Sequence, residues 1–210
     1  GGYLTRGSRV ARLEREVAEA RVKLAEQAAL AEENARLKAL LGLTQDEVRP
    51  VAAARLIGSS SSSTRRFATI SAGSRQGVRP GMAVRAPTGV IGRVLEVGDN
   101  TARVLLITDT ESTVPVRRAS DGIQAYAVGN GDGTLKIRLA TTGINPLRKG
   151  DAIVTSGSGG LFRPGEALAV VVSLTPDGAV ARPLSDPSAT EFVIVEPIYD
   201  EPTAQAEIGR

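Results

Sequence analysis

Two groups of residues in this 210-residue chain have types and spacings that could do chemistry. Gly157-Ser158-Gly159-Gly160 has the look of a nucleotide-binding turn, in which backbone N–H groups at a helix start cradle phosphate. Phe162, however, stands where the third glycine should be, and the residues after it read as a strand. The second group is a scatter of carboxylates, Asp99, Asp109, Glu111, Asp121 and Asp151. Two of them meeting in space could hydrolyse a glycosidic bond, one as acid and one as base or nucleophile. All five lie in turn contexts, where aspartate belongs for local hydrogen bonding, and 3% aromatic content leaves little for a sugar-stacking cleft. Histidine and cysteine are absent. That removes Ser-His-Asp and Cys-His machinery, imidazole and thiolate zinc sites, and disulfides. No phosphate-loop lysine, Gly-x-Ser-x-Gly, Ser-x-x-Lys or Asp-[Thr/Ser]-Gly occurs. The expectation is a protein with no catalytic residues, no cofactor and no metal site. A hydrolase with an unrecognised carboxylate pair is the alternative.

Charge does not point to nucleic acid. The formal net charge is +3, divided as 8 basic and 6 acidic groups over residues 1–43, 11 and 8 over 44–132, and 7 and 9 over 133–210. A nucleic-acid binder would show a stronger basic stripe, with aromatic platforms if it took single strands. The longest apolar runs, Val104–Ile107 and Ala167–Val172, have strand length, far below the ~20 residues of a membrane span. A membrane tether is therefore expected to be absent from this chain.

The elements that would position any site fall into two classes. From Ser8 to Leu41 the residues are strong helix formers without proline, with Ser8 placed as N-cap and Gly42 as C′ residue. Val10, Leu13, Val17, Ala20 and Leu24 follow a 3, 4, 3, 4 spacing, the period of a coiled coil. The seam then slips into a second frame, Leu30, Asn34, Leu37 and Leu41, which changes the local winding of a supercoil without abolishing it. Asn34 falls at an a position, where a buried Asn fixes register and favours a parallel two-stranded pairing. The helix could instead lie on a globular domain with Asn34 facing water. A helix of this length would overhang a small domain, which favours self-pairing through Leu13, Val17, Leu24, Leu30, Asn34, Leu37 and Leu41.

After Gly42 the pattern becomes short Val- and Ile-rich segments punctuated by Gly, Pro, Asn and Asp, spaced about ten residues apart. Twelve strands are expected between Val51 and Val195, the signature of small barrels or a sandwich. Ser59–Ser63 reads as a mobile loop and the tail after Pro197 as frayed. One pattern recurs three times: Val78-Arg79-Pro80-Gly81, Leu147-Arg148-Lys149-Gly150 and Phe162-Arg163-Pro164-Gly165, an apolar anchor followed by a turn with Gly at its third residue. Such a turn needs φ > 0 at the glycine, and barrel-corner geometry accounts for it. The fold class read from these features is mainly β, an N-terminal coiled-coil helix followed by two small β-barrel-like domains. The expected division is 1–43 for the helix, 44–80 plus 158–197 for an outer barrel, 81–157 for an inner barrel and 198–210 for a tail. Two barrels in simple succession also fit.

Several blocks resemble the family of the rod-shape-determining protein MreC. They are the helix end at Glu33–Leu41, Ile70–Val84 with its Gly77-Val78 and Gly81-Met82, Gly89–Val94, Leu105–Asp109 with Thr113–Val116, and Gly150–Gly157 with Phe162–Gly165. Their order along residues 30–197 carries the resemblance more than any one block; Ala169 stands where the family often has Gly. The resemblance implies a non-catalytic scaffold of cell-wall elongation on the extracytoplasmic (periplasmic) face of the cytoplasmic membrane, anchored by an N-terminal helix. It implies two barrels similar to the trypsin type without a triad, a parallel dimer able to build filaments, and contact with a class B penicillin-binding transpeptidase and other elongation-complex membrane proteins.

Overall fold

A computed structural model describes residues 2–40, 49–62 and 65–199, in two compact units, one ending at Glu47 and one starting at Val48. The first unit is a single helix, α1 (Gly2–Leu40), of 39 residues, about 58 Å long at ~1.5 Å per residue. It begins earlier than the expected N-cap at Ser8, because Gly7 lies inside it. One glycine costs a helix only about 1 kcal/mol relative to alanine, too little to interrupt a run of good formers on both sides. Leu41 and Gly42 lie outside the described residues. Among the described residues no helix is long and apolar enough to cross a membrane.

The second unit holds twelve antiparallel-paired strands in two closed barrels. The first contains β1 (Ala52–Ser62), β2 (Arg65–Ile70), β3 (Ala83–Ala86), β4 (Gly89–Val97), β5 (Ala102–Leu106) and β12 (Phe192–Glu196), in the order β1-β12-β3-β4-β5-β2. The second contains β6 (Thr113–Arg118), β7 (Gln124–Gly129), β8 (Leu135–Leu139), β9 (Ala152–Thr155), β10 (Ala167–Thr175) and β11 (Gly178–Pro183), in the order β10-β11-β8-β7-β6-β9. The chain leaves the first barrel after β5, builds the second from six consecutive strands, and returns to close the first with β12.

The division within this unit departs from the expected one. β3, β4 and β5 fall in the segment 81–157 but pair within the first barrel, and β10 and β11 fall in 158–197 but pair within the second. The recurring Arg-x-Gly turn does not mark a boundary between the barrels. It is a corner inside each barrel: Gly81, Gly150 and Gly165 have φ of 91°, 92° and 83°. Their N–H groups donate to Val94 O, Val171 O and Thr155 O, each at 2.8 Å. The anchors Val78, Leu147 and Phe162 are all buried. The serine run also differs from expectation: Ser59, Ser60, Ser61 and Ser62 pair with Ala68, Phe67, Arg66 and Arg65. Pairing to β2 satisfies backbone groups whatever the side chain, so a sequence with little β propensity still forms strand. Ser63 lies outside the described residues, as does the tail from Asp200 onward.

The barrels share packing. Ala83 and Val90, from strands of the first barrel, belong to the buried cluster of the second, beside Leu168 and Phe162. Gly89 comes so close that a Cβ would lie 2.6 Å from Ala167 O, and Thr88 Oγ1 meets Ser185 Oγ at 3.0 Å.

Candidate functional site

The seam residues of α1 present an unpaired apolar stripe. Leu13, Val17, Leu24, Leu30 and Leu37 are between 48% and 66% exposed, and Asn34 is exposed with them. Val10, Leu13, Val17 and Ala18 line a shallow groove of about 570 Å³ with Glu14 and Arg21 at its edges. The Arg12–Glu16 pair, 3.4 Å apart and open to solvent, adds only a few tenths of a kcal/mol. A single amphipathic helix of this length gains most of its stability from burying such a stripe.

Four of the five carboxylates singled out as chemical candidates, Asp109, Glu111, Asp121 and Asp151, are paired with arginines. Asp109 is fully buried in the connection from β5 to β6. It accepts hydrogen bonds from Arg66 N at 2.6 Å, Glu111 N at 2.8 Å and Arg65 Nε at 3.0 Å. Burial alone would raise its pKa, but the two backbone donors and the Arg65 guanidinium together outweigh it and hold the carboxyl below its ordinary value. Arg65 also reaches Glu111 Oε2 at 3.2 Å, and Arg66 Nε donates to Gly131 O across the barrels at 3.0 Å. The clasp is tight enough that a Cβ on Gly129 would lie 2.1 Å from Asp109 O.

Asp121 and Asp151 do converge, but on Arg118. Arg118 Nη1 donates to Asp151 Oδ2 at 3.0 Å and to Pro146 O at 2.7 Å, and its Nε donates to Asp121 Oδ1 at 2.9 Å. The hydrogen bond from Arg118 lowers the Asp121 pKa, the reverse of what a general acid needs. Asp99 is exposed in the β4–β5 turn, where its carbonyl accepts from Arg75 N at 3.1 Å. In the glycine run, Gly157, Gly159 and Gly160 take φ of 83°, 78° and 80°, and the next regular element is strand β10, so no helix N-terminus aims at this turn.

Sequence reasoning passed over a more unusual pair. Glu166 and Glu196 are both buried, Glu166 just before β10 and Glu196 at the end of β12. Burial first, then the adjacent Glu196, raise the Glu166 pKa to about 8. No motif marks these residues. Their only sequence signal is a glutamate at the edge of an apolar strand run, Phe192–Glu196. Neither lines the two grooves that flank Phe192. Phe192 itself is 57% exposed on β12, with the Arg55 guanidinium 5.3 Å from its ring centroid. Pro87, Ile194 and Ala53 extend this apolar patch on the first barrel.

A family model, the rod shape-determining protein MreC barrel core, matches residues 56–197, the span from β1 to the end of β12. The chain belongs to the MreC family. The cell shape-determining protein MreC of Caulobacter vibrioides is 39% identical over 155 residues, covering 73% of this chain and 44% of that protein. MreC of Escherichia coli is 40% identical over 151 residues, covering 70% of this chain and 40% of that one. The chain thus spans less than half the length of these two MreC relatives. Among solved structures, MreC from Pseudomonas aeruginosa matches with a TM-score of 0.64 at 32% identity, covering 69% of this chain and 97% of that structure. MreC of Listeria monocytogenes matches with a TM-score of 0.71 at 27% identity, covering 90% and 96%. The mainly β architecture, one helix and two barrels, is that of these MreC structures.

Proposed function

We propose that this chain is a non-catalytic scaffold of bacterial cell-wall elongation that maintains rod shape on the extracytoplasmic face of the cytoplasmic membrane. Two copies pair in parallel through α1, by Leu13, Val17, Leu24, Leu30, Asn34, Leu37 and Leu41, and present their barrels side by side. The barrels bind a class B penicillin-binding transpeptidase and bias it towards its active conformation. Such a bias requires the scaffold to bind one state of its partner more tightly than the other.

The observation that carries this reading is the exposed stripe on α1 in a member of a cell shape-determining family. A leucine seam open to water over several turns is stable only when covered, and two copies with the same seam cover each other. The engagement of Asp109, Glu111, Asp121 and Asp151 with arginines supports a structural role for those carboxylates over a hydrolytic one. Parallel pairing suits two chains held at one membrane, since both leave it in the same direction.

The test is capture of a purified class B transpeptidase on the immobilised intact chain, with glycan-strand crosslinking measured in parallel. The expected result is saturable capture and faster crosslinking when the chain is added. Absence of capture at tens of micromolar, or release of peptidoglycan fragments by the chain alone, would contradict the reading.

A further inference from the structure

Where the barrels meet, three charged groups from three elements face one another. Arg85 lies on β3 opposite Ile194 of β12, and Glu196, two residues along β12, is diagonal to it on the same face. Arg85 Nε lies 3.4 Å from Glu196 Oε1, and Arg85 Nη1 lies 3.9 Å from Glu166 Oε1, which belongs to the second barrel. Glu166 is held there by its backbone: its N–H donates to Thr155 Oγ1 at 2.9 Å, and its carbonyl accepts from Thr155 N at 2.9 Å.

With both carboxylates ionised this cluster does not close. Glu166 Oε2, Glu196 Oε2 and Arg85 Nε are buried without a hydrogen-bond partner among the described residues. An ionised carboxylate can only accept, so neither glutamate can satisfy the other. Adding one proton turns one carboxyl group into a donor to its neighbour, removes a buried negative charge, and leaves a single carboxylate against Arg85. The other charges near the pair are cationic: Arg163 on the corner turn lowers the Glu166 pKa together with Arg85, and the Arg117 guanidinium of β6 lies beside the neighbouring Gly165. Neither cation reverses the effect of burial and of the second carboxylate.

We propose that a proton shared between Glu166 and Glu196 fastens the two barrels at this corner, and that its loss in mildly alkaline solution weakens the junction. This holds whether or not the transpeptidase reading is correct, because it concerns only contacts within one chain. The sign follows from linkage. Glu166 in the native chain binds its proton more tightly than in the unfolded chain, where it has its ordinary value of 4.5. The stabilisation is complete below that value, declines as pH rises, and is gone above about 8. The composition makes this window unusually clean. With no histidine and no cysteine, no other side chain has an ordinary pKa between about 5 and 8.

The test is urea unfolding of the intact chain from pH 5 to 9.5, beside Glu166→Gln, which keeps the shape and cannot ionise. The unfolding equilibrium constant of the native chain should rise about tenfold per pH unit up to about pH 8 and then level, while Glu166→Gln stays flat. A native chain that is flat between pH 5 and 8, or a variant that keeps the slope, would overturn the proposal. Should the variant not fold, the Glu166 carboxyl carbon can be titrated by NMR in the native chain. A midpoint near 8 supports the shared proton, and one in the ordinary carboxylate range refutes it.

Discussion

Replacing Leu13, Leu24 and Leu37 together by aspartate should abolish the proposed pairing through α1 and leave the chain monomeric without altering the barrels. Each leucine is about half or more exposed in the single chain, and burying one against a partner contributes about 1.5–3 kcal/mol. Six such side chains are lost across a dimer, and the aspartates bring like charges face to face along the seam. Allowing for the entropy of association, self-affinity should fall by at least about a thousandfold. Sedimentation equilibrium checks the change in mass. The urea midpoint of the barrels serves as control, since the stripe is in a different structural unit from the strands. A variant that still sediments as a dimer would place the self-association surface elsewhere.

Asp109→Ala should be the most damaging alanine substitution among Asp99, Asp109, Glu111, Asp121 and Asp151. It removes the acceptor of two backbone N–H groups and the partner of Arg65 in a fully buried site. Leaving the two backbone N–H groups unpaired costs about 1–3 kcal/mol each, while the Arg65 guanidinium, 38% exposed, can turn to water and adds little. A melting temperature lower by about 10 °C is expected for a unit of this size. The pH dependence distinguishes this from a packing defect. Asp109 is held below its ordinary value of 3.8, so its stabilisation is complete above that value and is lost as pH falls through the native value. The deficit of the variant should therefore be full at neutral pH and shrink in acid. A deficit unchanged down to pH 2 would assign the damage to lost packing alone.

How far the fold is legible in the sequence depends on which physics sets each element. The twelve strands are local features, short Val- and Ile-rich runs bounded by turn residues, and they appear close to where they are expected. The three corner turns are equally local, since a positive φ selects glycine at Gly81, Gly150 and Gly165. Which strand joins which barrel is not local. β12 closes the first barrel after about 85 residues spent on the second, and no turn chemistry at Val78–Gly81 encodes that return. The polar link containing Asp109 is the true point of departure, and its sequence looks like any other turn. Ser59–Ser62 forms strand against its local composition for a related reason: the pairing is imposed by β2 across the ladder. The pair Glu166 and Glu196 has no local sequence signal because it is assembled from two barrels, 30 residues apart in the chain and adjacent only once β12 returns to close the first barrel.

Parallel pairing along α1 is the claim on which the scaffold reading stands, and the lack of cysteine in the chain makes it directly measurable. A single Leu13→Cys substitution near one end of the helix places one thiol per chain. In a parallel, in-register pair the two thiols lie across the seam from each other, within disulfide reach, and mild oxidation should give a covalent dimer in high yield. A fully overlapped antiparallel pair over Gly2–Leu40 would set each thiol opposite the second half of the partner helix, about 24 Å from the other thiol at ~1.5 Å per residue. Recovery of only the 21.8 kDa monomer after oxidation at tens of micromolar would contradict the account.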